Sequence, residues 1–202
     1  MTSRCKPAFI LTMIQKYNKQ DIRKNGFDPI FNALTEIGRL KTLFRQGWLK
    51  RGVPESECES VADHCFLTVI TAMLIAERDY PELDILKVLT LSILHEIGEV
   101  YVGDITPVDG ISEAEKYEAE KAAVERVFAT FERGEEYVEL WKEFEKGVTP
   151  EAKFIKQIDK LEMGMQAYNY AQHGYNRMTE FLDTTKRVVT DERLQKFTKD
   201  LK

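Results

Sequence analysis

Cysteine and histidine are scarce in this sequence, and long hydrophobic runs are missing. It has three cysteines and three histidines in 202 residues. Cys5, Cys58 and Cys65 cannot all pair with one another and lack the spacing of a metal-binding or redox pair. A disulfide framework is therefore excluded, and a reducing, cytoplasmic location is predicted. No apolar segment has the length that spans a bilayer, so no membrane association is expected.

An excess of positive charge is also absent. The 29 basic residues are outnumbered by 34 acidic ones, which gives a formal net charge of −5. Binding to a nucleic acid duplex needs a basic face that displaces counterions, so nucleic acid is not expected as the main partner. A local basic pocket for a small phosphate compound is still compatible with this balance.

Helical periodicity runs through nearly the whole sequence, whereas the alternation typical of strands is hard to find. The pattern predicts a single all-α domain. Ser60, Ser112 and Thr149 are predicted helix caps, and Pro150 stands at the first helical position after Thr149. The predicted helices cover Phe9–Asn18, Asp28 to Gly47, Val61–Arg78, a central helix from Leu83 that ends at Gly103, Ser112–Arg133, a shorter one around Tyr137–Phe144, Glu151–Ala171, and one or two terminal helices.

The central helix combines an apolar run with a group of charged residues. From Leu83 to Leu94 the run has hardly a polar break, which is typical of a buried helix. With no change of period it continues into His95, Glu96 and Glu99, and Asp104 follows. Such groups are costly to bury unless they are paired or bind a metal ion. A helix that emerges into solvent is the alternative, but it accounts less well for His95.

Two more polar residues lie in apolar helical surroundings. Asp159 interrupts an otherwise apolar face of its helix, where a buried salt bridge with Lys156 or Lys160 is the alternative to a metal ligand. His64 lies in the first turn of its helix and, taken alone, is more typical of a helix terminus than of a ligand. With His95 and Glu96 they form a mixed set that suits Mn, Co, Ni, Fe or Zn. His173 precedes Gly174 in a predicted turn and is expected to be exposed.

Four stretches of the sequence resemble the HD-domain metal-dependent phosphohydrolases, and within them the 5′-deoxynucleotidase group (the bacterial YfbR-type and eukaryotic HD domain-containing protein 2 relatives). They are Leu40-Lys41 with Arg45-Gln-Gly-Trp48, Glu59-Ser-Val-Ala-Asp-His64, His95-Glu-Ile-Gly-Glu-Val-Tyr-Val-Gly-Asp-Ile-Thr-Pro107, and Pro150-Glu-Ala-Lys-Phe-Ile-Lys-Gln-Ile-Asp-Lys-Leu-Glu-Met163. One departure is that His95-Glu96 stands where the family has His-Asp, which affects metal preference and affinity more than the fold.

The resemblance implies a single-domain HD-domain helical bundle over residues 1–202, with its core at about 34–170 and the C-terminal helices packed on it. It also implies hydrolysis of the 5′-phosphate of deoxyribonucleoside 5′-monophosphates, and a homodimer. A divalent metal ion would be held by four side chains, namely His64, His95, Glu96 and Asp159.

The resemblance also assigns roles to residues around that ion. Glu99 would orient or deprotonate the attacking water, and Asp104 would assist protonation of the leaving oxygen. A second, harder ion such as Mg²⁺ would be held by Glu99, Asp104 and the backbone carbonyl of Ile105. Arg45 would clamp the phosphate and Trp48 would cover the base or sugar. A solvated arginine and a core tryptophan are the alternatives for these last two.

Three other functions stay open at the level of sequence. One is hydrolysis of another nucleotide, such as a triphosphate, a cyclic nucleotide or a guanosine polyphosphate, although a single arginine clamp favours a monophosphate. Another is a nucleotide-binding protein without turnover. The third is a two-iron oxygenase, which is disfavoured because it would need additional histidine ligands and only His173 remains.

Overall fold

The computed structural model describes residues 26–201, and the regular structure in this range is helical apart from one isolated β-bridge between Phe44 and Ser60. The predicted all-α fold is confirmed. The predicted helix Phe9–Asn18 lies outside the described residues. The helices are α1 (Pro29–Ile37), α2 (Gln46–Leu49), α3 (Val61–Asp79), α4 (Ile85–Leu94), α5 (Glu99–Val102), α6 (Glu113–Phe128), α7 (Gly134–Lys146), α8 (Pro150–Gln172), α9 (Thr179–Val188) and α10 (Glu192–Thr198).

The predicted helix caps are confirmed. Ser60 caps α3, because its Oγ accepts the N–H of Asp63 at 3.2 Å while Asp63 Oδ2 accepts the N–H of Ser60 at 2.8 Å. Thr149 caps α8 by accepting the N–H of Ala152, and Pro150 follows it. A cap of this kind stabilises a helix by about 1 kcal/mol. The cap at Ser60 also fixes where α3 begins, and so places His64 in its first turn.

Helix α8 is the centre of the fold and packs against α3, α4, α7, α9 and α10. Ile155, Ile158 and Leu161 on its inner face are fully buried. Met165, one turn further along the same helix, is 43% exposed. Because α8 touches most other helices, a polar residue in its middle lies at the junction of several elements.

Two predicted helices end earlier than their apolar patterns indicated. The helix that begins after Asp28 stops at Ile37 and is followed by a short 3-10 helix over Gly38–Lys41. The chain then pairs with the segment before α3, where Arg45 N–H donates to Glu59 O and Val61 N–H donates to Leu43 O. Ile30 and Leu34 in α1 are exposed. Likewise α6 ends at Phe128, where Phe131 and Gly134 form successive turns before α7.

None of the helices within residues 26–201 combines the length and the apolar character that a bilayer span requires.

Candidate metal centre

Three helices bring four side chains together at the predicted site. His64 comes from α3, Asp159 from α8, and His95 and Glu96 directly follow α4. One ligand atom from each of the four residues lies within 4.8 Å of the others. The two imidazole Nε2 atoms are 3.4 Å apart, and His64 Nε2 is 3.3 Å from Asp159 Oδ1. Glu96 Oε1 is 3.6 Å from both Nε2 atoms.

Hydrogen bonds on the far side of each ring determine which nitrogen faces the cluster as an acceptor. His95 Nδ1 is 2.7 Å from the carbonyl oxygen of Ser92, which can only accept, so Nδ1 carries the proton. His64 Nδ1 is 2.5 Å from Glu162 Oε2, and a carboxylate likewise accepts from the ring. Both Nε2 atoms are therefore available as metal ligands on the inner side.

The cluster requires positive charge among its acceptor atoms. Asp159 Oδ1 is buried and has no hydrogen-bond partner within the described part of the chain, even though His64 lies nearby. Burial opposes a charged His64 ring, but contacts with Asp159 and Glu162 outweigh it and raise the pKa of His64 to about 9. Without a metal ion, the neighbouring carboxylates favour a protonated His64. A bound metal ion would provide the same positive charge at this place.

The spacing of the four atoms fits a single ion. Two ligand atoms that are each about 2.1 Å from a tetrahedral ion lie about 3.4 Å apart. The four separations described above are 3.3–3.6 Å. Since two nitrogens and two oxygens converge at ligand spacing and one oxygen has no partner, the residues present fit a divalent transition metal ion.

A tight turn between α4 and α5 lets two consecutive residues face the same point. The sequence predicted an unbroken helix, but Ile97, Glu99 and Val100 donate to carbonyls three residues back rather than four. Gly98 makes this turn possible, because a Cβ there would lie 2.6 Å from the Cβ of Glu120 on α6. Packing against α6 therefore ends α4 at Leu94, which helical periodicity alone does not reveal.

Arg45 lies beside the carboxylates of the cluster. The strand-like pairing with Glu59 directs its side chain inward, where Nη1 lies 3.3 Å from Glu96 Oε1 and 3.5 Å from Asp104 Oδ1. Burial disfavours the charged guanidinium, but Asp104 and Glu96 outweigh it and raise the pKa of Arg45. Of the two sequence interpretations, this position excludes a solvated surface arginine.

Glu99 and Asp104 differ in their surroundings. Glu99 is buried and its Oε2 has no hydrogen-bond partner among the described residues. Burial raises the pKa of Glu99 well above its usual value, and the charges of Glu96 and Asp104 raise it further. Asp104 instead accepts hydrogen bonds from the backbone N–H of Gln46 and from Arg45. Through these contacts Asp104 holds the guanidinium of Arg45 beside the cluster, and its role in protonating the leaving oxygen stays a prediction.

Trp48 is a core residue. It is 2% exposed, its Nε1–H donates to Glu59 Oε1 at 2.6 Å, and its ring packs against Tyr170 and Phe181. Such burial leaves almost no ring surface for a nucleotide. The structure therefore favours the core alternative over the prediction that Trp48 covers the base or sugar. His173, by contrast, is exposed as expected.

Three charged residues near the cluster escaped sequence analysis. Glu162 touches His64, and its position three residues after Asp159 was the available signal, since i and i+3 share a helix face. Glu59 and Glu162 both come close to His64.

Lys116 on α6 pairs with Glu120 at 3.4 Å. Burial opposes its charge, but Glu120, Glu96 and Glu99 raise the pKa of Lys116. No local signal in the sequence predicts that α6 packs against α5.

Comparison with known proteins defines the class to which this fold and this cluster belong. The family model described as "HD domain" matches residues 37–200. Since this match covers most of the chain, the chain belongs to the HD-domain family. The predicted membership of the HD-domain family is thereby confirmed.

Curated relatives within the family carry a more specific name. A protein of Dictyostelium discoideum named 5′-deoxynucleotidase HDDC2 is 37% identical over 161 residues, or 74% of this chain and 84% of that protein. The human protein of the same name is 34% identical over 165 residues, 80% of this chain and 78% of that protein. Among solved structures, a conserved hypothetical protein from Pyrococcus furiosus matches with a TM-score of 0.72 and 30% identity, covering 85% of this chain and 98% of that one.

Proposed function

We propose that this protein is a metal-dependent phosphomonoesterase that releases phosphate from deoxyribonucleoside 5′-monophosphates. The observation that carries the proposal is the convergence of His64, His95, Glu96 and Asp159 at ligand spacing, next to the guanidinium of Arg45. The relatives named 5′-deoxynucleotidases supply the substrate class.

In this proposal a metal ion would be held by Nε2 of each histidine and by one oxygen each of Glu96 and Asp159. The mixed nitrogen and oxygen set suits Mn, Co, Ni, Fe or Zn. When bound, such an ion supplies a Lewis acid that polarises a phosphoryl oxygen and lowers the pKa of water. The longer side chain of Glu96, in place of the family's aspartate, reaches the cluster because the turn at Gly98 brings residues 95 and 96 round together.

Three residues of the chain take part in the proposed reaction. Arg45 binds the phosphate through its planar guanidinium and is held in place by Asp104. Glu99 accepts a proton from the water that attacks phosphorus, the bond between phosphorus and the 5′-oxygen breaks, and Asp104 assists protonation of that leaving oxygen. Its raised pKa suits a general base, because a base is most effective when its pKa approaches the working pH.

The proposal includes a second ion. Glu99, Asp104 and the backbone carbonyl of Ile105 would hold a hard ion such as Mg²⁺, as the resemblance implies. The unpartnered, buried Oε2 of Glu99 supports it. An all-oxygen set is the kind that Mg²⁺ prefers.

A phosphate-release screen tests the function. Purified protein would be assayed against the deoxyribonucleoside and ribonucleoside 5′-monophosphates, deoxyribonucleoside triphosphates, cyclic nucleotides and guanosine polyphosphates, with each of several divalent ions. We expect release from deoxyribonucleoside monophosphates that stops on chelation. An Asp159→Asn protein purified in the same way is the control for contaminating phosphatases. Turnover of only another nucleotide class refutes the substrate assignment, and nucleotide binding without turnover of any compound refutes the enzyme.

We also propose that the protein is a homodimer located in the cytoplasm. Helices α3 and α4 present an apolar surface made of Phe66, Leu67, Leu74, Leu86 and Ile93, which are 41–72% exposed. Exposed apolar patches of this kind mark interfaces, and a second copy of the chain is the partner that we assign to it. Cys58 and Cys65 are free thiols, as a reducing compartment maintains them.

A further inference from the structure

Glu162 is a buried carboxylate for which the proposed reaction has no use. It lies on α8, its side chain is 3% exposed, and its Oε2 is 2.5 Å from Nδ1 of His64. His64 is itself fully buried. A carboxylate is rarely buried unless it is paired, so this contact has to satisfy both groups.

We infer that Glu162 is a positioning residue, which keeps the proton of His64 on Nδ1 and thereby directs Nε2 at the metal. The inference rests on the proposed metal centre and extends it beyond the four ligands. In metal sites a histidine ligand usually donates its other N–H to a carboxylate or carbonyl, which fixes the tautomer and makes the ligating nitrogen more basic.

The second histidine provides an internal comparison. His95 Nδ1 donates to the backbone carbonyl of Ser92 at 2.7 Å, whereas His64 Nδ1 donates to a charged side chain. The carbonyl that His95 uses lies one turn earlier on its own helix, so no other element has to provide it. For His64, in the first turn of α3, the partner has to come from another element. Helix α8 supplies it from the turn that also carries Asp159, so a single helix contributes one ligand and orients another.

Glu59 is a second carboxylate close to His64. Its carboxylate lies in the same cluster with His64 and Glu162, and it accepts the indole N–H of Trp48. The backbone of Glu59 also binds that of Arg45. A second carboxylate next to His64 therefore comes from the segment that pairs with Arg45, the proposed phosphate clamp.

The experiment compares Glu162→Gln, Glu162→Leu and Glu36→Gln with the wild-type protein. Glu36 is the matched control, because it is also a buried glutamate and accepts a hydrogen bond from Tyr101. Co²⁺ and Zn²⁺ affinity would be measured by titration, thermal unfolding would be recorded without metal, and the tautomer of His64 would be read from its ring ¹⁵N shifts. Loss of such outer partners usually weakens metal affinity about 10–100-fold.

We expect the metal affinity to fall by about 10–100-fold in Glu162→Leu and by less in Glu162→Gln, with a shift of His64 away from the Nδ1–H form in both variants. Glu36→Gln is expected to change unfolding but neither metal affinity nor the His64 spectrum. Wild-type affinity and an unchanged tautomer in both Glu162 variants would overturn the inference, as would variants that lower only thermal stability. A wild-type protein that binds metal but releases no phosphate would refute the hydrolase and leave this comparison valid, whereas one that binds no metal would refute both.

Discussion

His64 and His95 face each other with their Nε2 atoms 3.4 Å apart, although 31 residues separate them in the sequence. The ring of His95 is a neutral Nδ1–H tautomer, because Ser92 accepts its proton. Two buried imidazoles approach in this way only when a proton or a cation lies between them. Glu96 and Asp159 close the same space, and this arrangement is the basis of the proposed metal centre.

Asp159→Asn is expected to abolish tight metal binding. The substitution removes an anionic ligand. We therefore expect the affinity for a divalent ion to fall by at least about 10²-fold, which is more than the loss of a residue that only contacts a ligand, such as Glu162, usually costs. Elemental analysis after dialysis measures the bound metal.

Lys160→Gln is the control for the alternative interpretation of Asp159 as a salt-bridge residue. Lys160 Nζ is 2.9 Å from Asp159 Oδ2, but the lysine side chain is 39% exposed, and such pairs contribute little. If Lys160→Gln lost as much metal as Asp159→Asn, the ion pair and not direct ligation would explain the effect.

Glu99→Gln is expected to lower kcat by about 10²–10⁴-fold, because it removes the proposed general base. The ion held by the two histidines should remain, since Glu99 is not one of its four ligands. Steady-state kinetics at saturating metal, together with metal analysis of the same sample, tests both parts. Near-normal turnover would show that another group takes the proton.

Arg45→Lys is expected to lower kcat/KM by about 10²-fold, since a lysine keeps the charge but loses the planar pair of donors that orients a phosphate. Arg51→Lys is the matched control, because Arg51 pairs with Glu180. Equal losses in the two variants would contradict a specific role for Arg45.

Gly98→Ala is expected to destabilise the protein by about 1–3 kcal/mol, the usual cost of overpacking, because the new methyl group would lie 2.6 Å from Glu120 Cβ. Gly38→Ala is the control: its backbone is helical and its Cβ would meet nothing within 4 Å. Urea unfolding measures both. If Gly98→Ala were as stable as Gly38→Ala, close packing of α6 would not be what shapes the turn after α4.

Leu86→Glu is expected to convert the proposed dimer into a monomer, because Leu86 is 72% exposed at the start of α4 and would bury a charge in the interface. Val148→Glu introduces the same charge at a site 63% exposed elsewhere. Light scattering after gel filtration measures the mass. A wild-type monomer, or a dimer that tolerates Leu86→Glu, would contradict the assigned interface.

Local signals in the sequence predicted much of the fold. The caps at Ser60 and Thr149 are formed by neighbours in the chain, so they were recognisable without any tertiary information. The same holds for the buried face of α8 around Ile158. The histidines and acids of the cluster were recognisable because burying a polar group in an apolar helix is costly unless the group is paired or binds a ligand.

What the sequence did not predict depends on contacts between distant segments. The pairing of Phe44 with Ser60 turns Arg45 inward, and no local pattern in the sequence predicts it. The close packing of α6 against Gly98, at the point where the predicted central helix is interrupted, is a second such contact. Trp48 lies next to a proposed phosphate ligand in the chain, yet its burial against Tyr170 and Phe181 is set by α8 and α9.

The most direct test of the metal centre is a crystal structure of the Co²⁺-loaded protein with anomalous diffraction data collected at the cobalt absorption edge. The account predicts one strong anomalous peak at about 2.0–2.2 Å from His64 Nε2, His95 Nε2, Glu96 Oε1 and Asp159 Oδ1. A peak elsewhere, or none among these four atoms at saturating Co²⁺, would contradict it.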